Sequence, residues 1–308
     1  MQSMRQLMNN MVKDPRYQET YKQTIESILN HEAVQQFIDE HETELSQQII
    51  ENSLSKLNEF VRELKAIEKG EPGQNPGFVP RLFINTSYID ITYVPTTEFM
   101  EQEERRKKQA LLDNRMMSAD VRQAKLQDFT LESYERQQLM EAIVEFVQKY
   151  RANPLATQGL YISGPFGVGK TFLLGALANE LVNYGIAVTM LHYPTFTGEI
   201  KNTISSNMTQ PALNRVKRVP ILILDDCGAE TNSAWLRDEV LGVILEHRMK
   251  ESLPTFFTSN LTMDQFESHL ANTRDEVDGV KARRLMERVR YLAIEKHLGG
   301  DNRRHQSR

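Results

Sequence analysis

Gly164-Pro165-Phe166-Gly167-Val168-Gly169-Lys170-Thr171 fills every position of the phosphate-loop pattern G-x-x-x-x-G-K-[ST]. Its flanks fit as well. Gly159-Leu160-Tyr161-Ile162-Ser163 ahead of it is a short β-prone run, and Phe172-Leu173-Leu174-Gly175-Ala176-Leu177-Ala178-Asn179-Glu180-Leu181 behind it carries apolar residues at helical spacing. Strand, glycine loop and helix form the context in which this motif cradles phosphate. Glycines let backbone N–H groups close around phosphate oxygens, and the helix N-terminus adds the positive end of its dipole. Lys170 is expected to reach the β- and γ-phosphates, and the Thr171 hydroxyl to ligate Mg²⁺. The expected nucleotide-binding segment is Gly164 to Thr171 with Phe172 behind it.

Working outward, strand and helix signals alternate from residue 131 on, which predicts an α/β domain with a parallel sheet. Leu139, Ile143, Phe146, Val147 and Tyr150 mark a helix before the loop. Five strands are expected: the run before the loop, Ala187–Leu191, Ile221–Leu224, Thr255–Thr258 and a last one near Tyr291–Ile294. The third ends in Asp225-Asp226. An apolar strand that delivers a carboxylate at its C-terminal end is the Walker B arrangement, and ligands of such sheets sit outside those ends. Asp225 is assigned to the metal, and Asp226 to orienting or deprotonating the attacking water. The fourth strand ends Thr258-Ser259-Asn260. Asn260 is either a turn former or the polar group that meets the γ-phosphate or its water. Arg284 and Arg288 are four residues apart and share a helix face. An arginine given by a neighbouring subunit can stabilise the charge of phosphoryl transfer.

The rest of the chain sets the frame. The 308 residues suggest two domains as a soft prior. At 40% hydrophobic and 26% charged, the chain can bury a sizeable core. The net charge of −5 advertises no global basic field, so any nucleic-acid contact must be local. One such region is 281–304, with eight Lys/Arg against three Asp/Glu. No apolar run approaches the roughly 18 residues of a membrane span. No signal-peptide core follows Met1, so a cytoplasmic protein is expected. Cys227 is the single cysteine, which excludes an internal disulfide and reads as a small buried filler.

Residues 1–100 read as a small helical domain closed by a β-hairpin. Ile25, Ile28 and Leu29, then Val34, Phe37 and Ile38, then Leu54, Leu57, Val61 and Leu64 give one apolar stripe per helix. The stripes serve a core, and a partner surface is equally open to so short a unit. Gly70, Pro72, Gly73, Pro76, Gly77 and Pro80 make a turn-rich break. Arg81–Ile84 and Tyr88–Tyr93 around Asn85-Thr86-Ser87 predict the hairpin. Residues 101–130 read as a charged linker, with Glu101, Glu103 and Glu104 ahead of Arg105, Arg106, Lys107 and Lys108 on an exposed helix. The α/β nucleotide-binding domain then spans 131–308.

These pieces, in this order, resemble the AAA+ ATPases of the initiator and loader clade, and within it the bacterial replicative helicase loaders of the DnaI primosomal family. The resemblance covers nearly the whole chain. Its specific stretches are the phosphate loop, Leu224–Glu230, Trp235–Val240, Pro254–Asn260, Ala282–Val289 and Gly300–His305. It implies an AAA+ module without a full helical lid, Asn260 as sensor 1, Arg288 as the trans-acting arginine finger with Arg284 beside it, and Arg304 as the arginine of a C-terminal loader motif at the nucleotide. It further implies that residues 1–100 dock on the replicative helicase hexamer and that ATP orders loader subunits through their ATP sites. Delivery of the helicase to DNA for primosome assembly would follow. The AAA+ module would bind single-stranded DNA, with Ser233 and Trp235 at positions linked to that contact. An indole can stack on a base; Trp235 reads equally as plain core.

Two departures stand out. Many members of this family carry a cysteine-built zinc site in the N-terminal domain. Here no cysteine precedes Cys227 and the only histidines of residues 1–100 are His31 and His41, whereas structural zinc needs four Cys/His ligands, so no zinc is predicted. Most AAA+ proteins place Glu where Asp226 stands. The shorter arm predicts slow hydrolysis and a switch-like role for ATP. Two other readings remain: a non-hydrolysing ATP-gated adaptor, and a transposition-helper ATPase sharing the AAA+ core. An initiator is disfavoured because no helix-turn-helix domain follows residue 290.

Overall fold

The computed structural model describes residues 15–71, 73–206 and 208–303. The chain forms two compact units, Met1–Arg105 and Arg106–Arg308.

In the first unit, helices α1 (Pro15–Leu29), α2 (Glu32–Glu40), α3 (Gln47–Asn52) and α4 (Leu54–Glu68) precede a hairpin of β1 (Phe78–Asn85) and β2 (Tyr88–Pro95). The stripes read from the sequence meet here: Ile28, Val34, Leu57, Phe60 and Val61 bury against Ile89 of the hairpin. The fully buried Ser53 joins the layers. Its hydroxyl donates to Ile49 O and accepts from Ile89 N, both at 2.6 Å. The turn-rich segment after α4 is held by a carboxylate: Glu63 Oε2 accepts from Gln74 N at 2.9 Å. Gly77 takes a left-handed φ of +86°, and a Cβ there would meet the Phe99 ring at 2.3 Å, so only glycine lets the chain turn beneath it. Helix α5 (Thr97–Leu111) follows and buries no residue.

The second unit is a three-layer α/β/α fold. Its sheet contains β3 (Leu112–Asp113), β4 (Gly159–Ser163), β5 (Val188–His192), β6 (Ile221–Cys227), β7 (Thr255–Ser259) and β8 (Ala293–His297), in the order β3-β5-β6-β7-β4-β8. All pairings are parallel. Successive residues of one strand serve opposite cores, because strand side chains alternate. Leu222, Leu224, Phe257 and Tyr161 join one core; Ile221, Ile223, Phe256 and Leu160 join the other. The sheet therefore has six strands among the described residues, not the five expected. The sixth, β3, is a two-residue edge strand, too short to show any periodicity.

The helices are α6 (Ala119–Arg122), α7 (Tyr134–Ala152), α8 (Lys170–Asn183), α9 (Tyr193–Asn202), α10 (Thr209–Arg218), α11 (Gly242–Lys250), α12 (Met263–Ala271) and α13 (Gly279–Leu292), with a π-helical turn at Leu236–Leu241 leading into α11. The segment read as a charged linker packs in its second half. Met117, Val121 and Phe129 lie in the core beside α8. Asn179 of α8 donates to Arg122 O and Ala124 O, and a Cβ on Gly175 would meet Val121 Cγ1 at 2.6 Å. The apolar residues here are irregularly spaced, which hid their burial in the sequence.

Candidate nucleotide site

The phosphate loop lies between β4 and α8, beside the C-terminal ends of β5, β6 and β7. Gly164, Gly167 and Gly169 have φ values of +148°, +76° and +103°, which L side chains rarely adopt. Space excludes a side chain as well: a Cβ would fall 2.0 Å from Leu298 O at Gly164 and 2.0 Å from Asn302 Oδ1 at Gly167. The segment after β8 thus braces the loop from outside, where Arg303 N donates to Gly167 O at 3.0 Å. Val168 is buried, whereas Phe166 at the tip is 63% exposed.

Lys170 opens α8 and is only 7% exposed. Its Nζ donates to Gly164 O and Pro165 O at 2.7 Å and to Asn260 Oδ1 at 2.9 Å. Asn260 in turn donates from Nδ2 to Asp226 Oδ1 at 3.1 Å. The expected phosphate-binding lysine, sensor asparagine and second acid are therefore one connected set. Thr171 and Thr258 both donate to Asp225 Oδ1 at 2.7 Å. Burial pushes the Asp225 carboxyl above its ordinary value, against the opposing pull of these two hydroxyls. Asp226 has a left-handed φ of +59°, and its N–H donates to Thr258 Oγ1 at 2.9 Å. A non-glycine residue held there marks a strained turn at a working site.

The cleft around this set encloses about 890 Å³. One wall is apolar: Met116, Met117, Val121, Phe129 and Phe172. The Arg136 guanidinium lies 3.8 Å from the centre of the Phe129 ring and donates to Val168 O at 2.9 Å. That wall suits a flat heterocycle, and the polar floor suits a triphosphate. The hydroxyl of Thr171 and the carboxylate of Asp225 are hard oxygen donors, the chemistry Mg²⁺ takes while keeping part of its water shell. A resident Mg²⁺ would supply charge neutralisation at the phosphates there.

Sequence reasoning missed Phe129, Arg136, His192 and Arg303, all of which line the cleft. No sequence signal joins Phe129 to Arg136, since only the fold stacks them. The other expected residues lie elsewhere. Arg284 is exposed on α13, and Arg288 donates to Gly242 O at 3.0 Å and Glu246 Oε2 at 3.5 Å within its own unit. Neither lines this cleft. Ser233 is buried, and its Oγ accepts from Leu236 N at 3.3 Å as a helix cap. Trp235 is partly buried against the core, in line with its structural reading. Arg304 lies outside the described residues. Cys227 is buried, and burial pushes its thiol well up.

A zinc site does not fit the first unit. The unit contains no cysteine and two histidines, His31 and His41, fewer than the four Cys/His ligands of a structural zinc, and the turn-rich segment is held by Glu63.

Parallel sheet, phosphate loop, strand-end aspartates and Asn260 at the end of the next strand together define an AAA+ ATP-binding protein. Residues 1–93 match the family described as the primosomal protein DnaI N-terminus, and residues 86–308 the IstB-like ATP-binding proteins. The replicative helicase loader DnaI of Bacillus subtilis is 36% identical over 297 residues, 94% of this chain and 95% of that protein. The Escherichia coli K12 helicase loader DnaC is 25% identical over 39% of this chain and 49% of its own length. A DnaI crystal structure superposes with a TM-score of 0.56 at 40% identity, covering 61% of this chain and 98% of that one. The chain belongs to the DnaI family of replicative helicase loaders.

Proposed function

We propose that this protein loads the replicative DNA helicase onto DNA in primosome assembly, with ATP as the timing signal. The observation that carries the reading is the connected set Lys170–Asn260–Asp226 beside Thr171–Asp225, in a chain whose first 93 residues match the DnaI N-terminus. The first unit docks on the helicase hexamer. The second binds Mg²⁺·ATP, with Phe129 and the methionine wall receiving the base and Lys170 meeting the phosphates. Hydrolysis is slow, because the short arm of Asp226 reaches less far than a glutamate. Lys170 and Asp226 meet on the same Asn260 side chain, so a γ-phosphate that draws Lys170 also repositions Asp226.

Loader subunits associate through the ATP site. Arg284 faces outward for a neighbour's cleft, whereas Arg288 reaches a neighbour only by leaving Glu246 and Gly242 O. Single-stranded DNA binds the second unit. With Ser233 serving as a cap and Trp235 packed on the core, any base contact there uses only the open edge of the indole.

The test is size-exclusion chromatography with light scattering on the protein mixed with the replicative helicase of its own organism, with and without Mg²⁺·ATP. Several copies on one hexamer, with residues 1–105 alone also retained, are the expected result. Binding of ATP without helicase in any nucleotide state would shift the assignment to a transposase helper, the alternative favoured by the IstB-like match over residues 86–308.

A further inference from the structure

His192 closes β5 and lines the same cleft as the two aspartates. In the parallel register it lies across from Asp225. Its Nδ1 is 2.8 Å from Thr195 Oγ1 in the first turn of α9, and its Nε2 is 3.8 Å from Asp226 Oδ2. The other oxygen of that carboxylate, Oδ1, is held by Asn260. Asp226 therefore has one oxygen occupied by the sensor asparagine and one facing the imidazole. A gap of 3.8 Å exceeds a direct hydrogen bond, and it leaves a single water within reach of both atoms. The backbone that carries this carboxylate is held at φ +59°, with its N–H donating to Thr258 Oγ1.

We infer that His192 is a positioning residue for ATP hydrolysis, orienting the attacking water jointly with Asp226. The inference rests on the hydrolytic reading above. In the tautomer this role requires, Nδ1–H donates to Thr195 Oγ1 and the Nε2 lone pair accepts. The water then gives one hydrogen to Asp226 Oδ2 and one to His192 Nε2, and its lone pair points away from both, toward the γ-phosphorus. As the oxygen–phosphorus bond forms, the bond to the β,γ-bridging oxygen breaks and its electron pair leaves on ADP. One water proton passes to Asp226 Oδ2. A second acceptor of this kind compensates for an acid that is one methylene short.

The experiment measures steady-state Mg²⁺·ATP hydrolysis, Mg²⁺·ATP affinity by equilibrium dialysis and thermal midpoint for the full chain and for His192→Ala, His192→Gln, Thr195→Val, Asp226→Asn and the His192→Ala/Asp226→Asn pair. His192→Ala is expected to lower kcat about tenfold or more with KM within about twofold, the pattern of a group acting in the transition state. His192→Gln, which retains an acceptor, should recover most of the loss, and Thr195→Val should fall between. The pair should be no slower than Asp226→Asn alone. Thr195→Val leaves the ring in place, so it carries the test if His192→Ala melts early. An unchanged kcat, a raised kcat, or a raised KM at constant kcat in the His192 variants would overturn the inference. Wild-type protein that binds ATP yet turns over no faster than Asp226→Asn would overturn the hydrolytic reading itself, and the role of His192 with it.

Discussion

At the residue scale, the site is organised by shared partners. Asp225 takes two threonine hydroxyls on one oxygen, and Asn260 bridges Lys170 and Asp226 through its two amide ends. Nucleotide binding is expected to turn on Lys170. Its ammonium lies among carbonyl oxygens that phosphate oxygens can replace, and a charge-assisted bond of that kind contributes about 1.5–3 kcal/mol. Lys170→Ala should weaken Mg²⁺·ATP binding by roughly ten- to a hundredfold on that scale, measured by isothermal titration. A full-affinity variant would place the triphosphate elsewhere. The motif residues were legible because their chemistry depends on local spacing: a glycine loop, a lysine and a hydroxyl in eight consecutive positions. Arg136 and Phe129 were not, since their stacking exists only once α7 has packed beside the segment before it.

Elements hold these residues through a few buried polar anchors. Arg248 of α11 is fully buried and donates to Lys217 O, Val219 O, Pro220 O, Pro254 O and Thr255 Oγ1, so it staples the starts of β6 and β7. Burial lowers its pKa, and the five acceptors offset that cost. In the first unit, Glu63 does comparable work on the turn after α4. Glu63→Ala should lower the stability of that unit by about 1–2 kcal/mol in urea unfolding, and chelators should leave it unchanged. A chelator-sensitive midpoint would contradict the carboxylate clamp.

The π-helical turn before α11 is tied to the loop before α13. Arg237 is buried and pairs with Asp238 at 2.7 Å and Glu276 at 2.6 Å, and Lys281 reaches Asp238 at 3.0 Å. The hydrogen bond from Arg237, with Lys281 in support, holds the Asp238 carboxyl below its ordinary value of 3.8. A depressed carboxylate stabilises the fold fully above its unfolded value and loses that contribution as pH falls through the folded value. The stability gap between wild type and Asp238→Asn should therefore be full at neutral pH. It should close as pH falls below about 4, followed by urea unfolding. A gap that persists at the lowest pH would show that the pair acts by packing alone.

For the whole molecule, there are two units with separate cores, one matching the DnaI N-terminus and the other containing the phosphate loop. Among the described residues, no helix is long and apolar enough to cross a membrane. Arg284 belongs to this scale, because it is exposed and does not line the nucleotide cleft of its own chain. Arg284→Ala should leave Mg²⁺·ATP affinity of the isolated protein intact and reduce hydrolysis in the assembled loader by about a hundredfold or more, as removal of a trans-acting arginine does. Mixing Arg284→Ala with Lys170→Ala subunits should restore part of the activity, since a subunit with an intact site can then face an intact arginine. No recovery in the mixture would assign the arginine to another residue, with Arg288 first in line.

The sequence by itself determined the nucleotide loop, the strand that ends in Asp225-Asp226, the position of Asn260, the helical stripes of the first unit and the hairpin. Each is written in local spacing, which a helix of 3.6 residues per turn, a strand of alternating faces and a tight glycine loop make readable. Only the tertiary structure decided the edge strand β3, the burial of Met117, Val121, Ala124 and Phe129, the cap role of Ser233, the internal engagement of Arg288 and the meeting of His192 with Asp226. These depend on contacts between elements distant in the chain, such as β5 with β6 in register, and no local pattern carries that information.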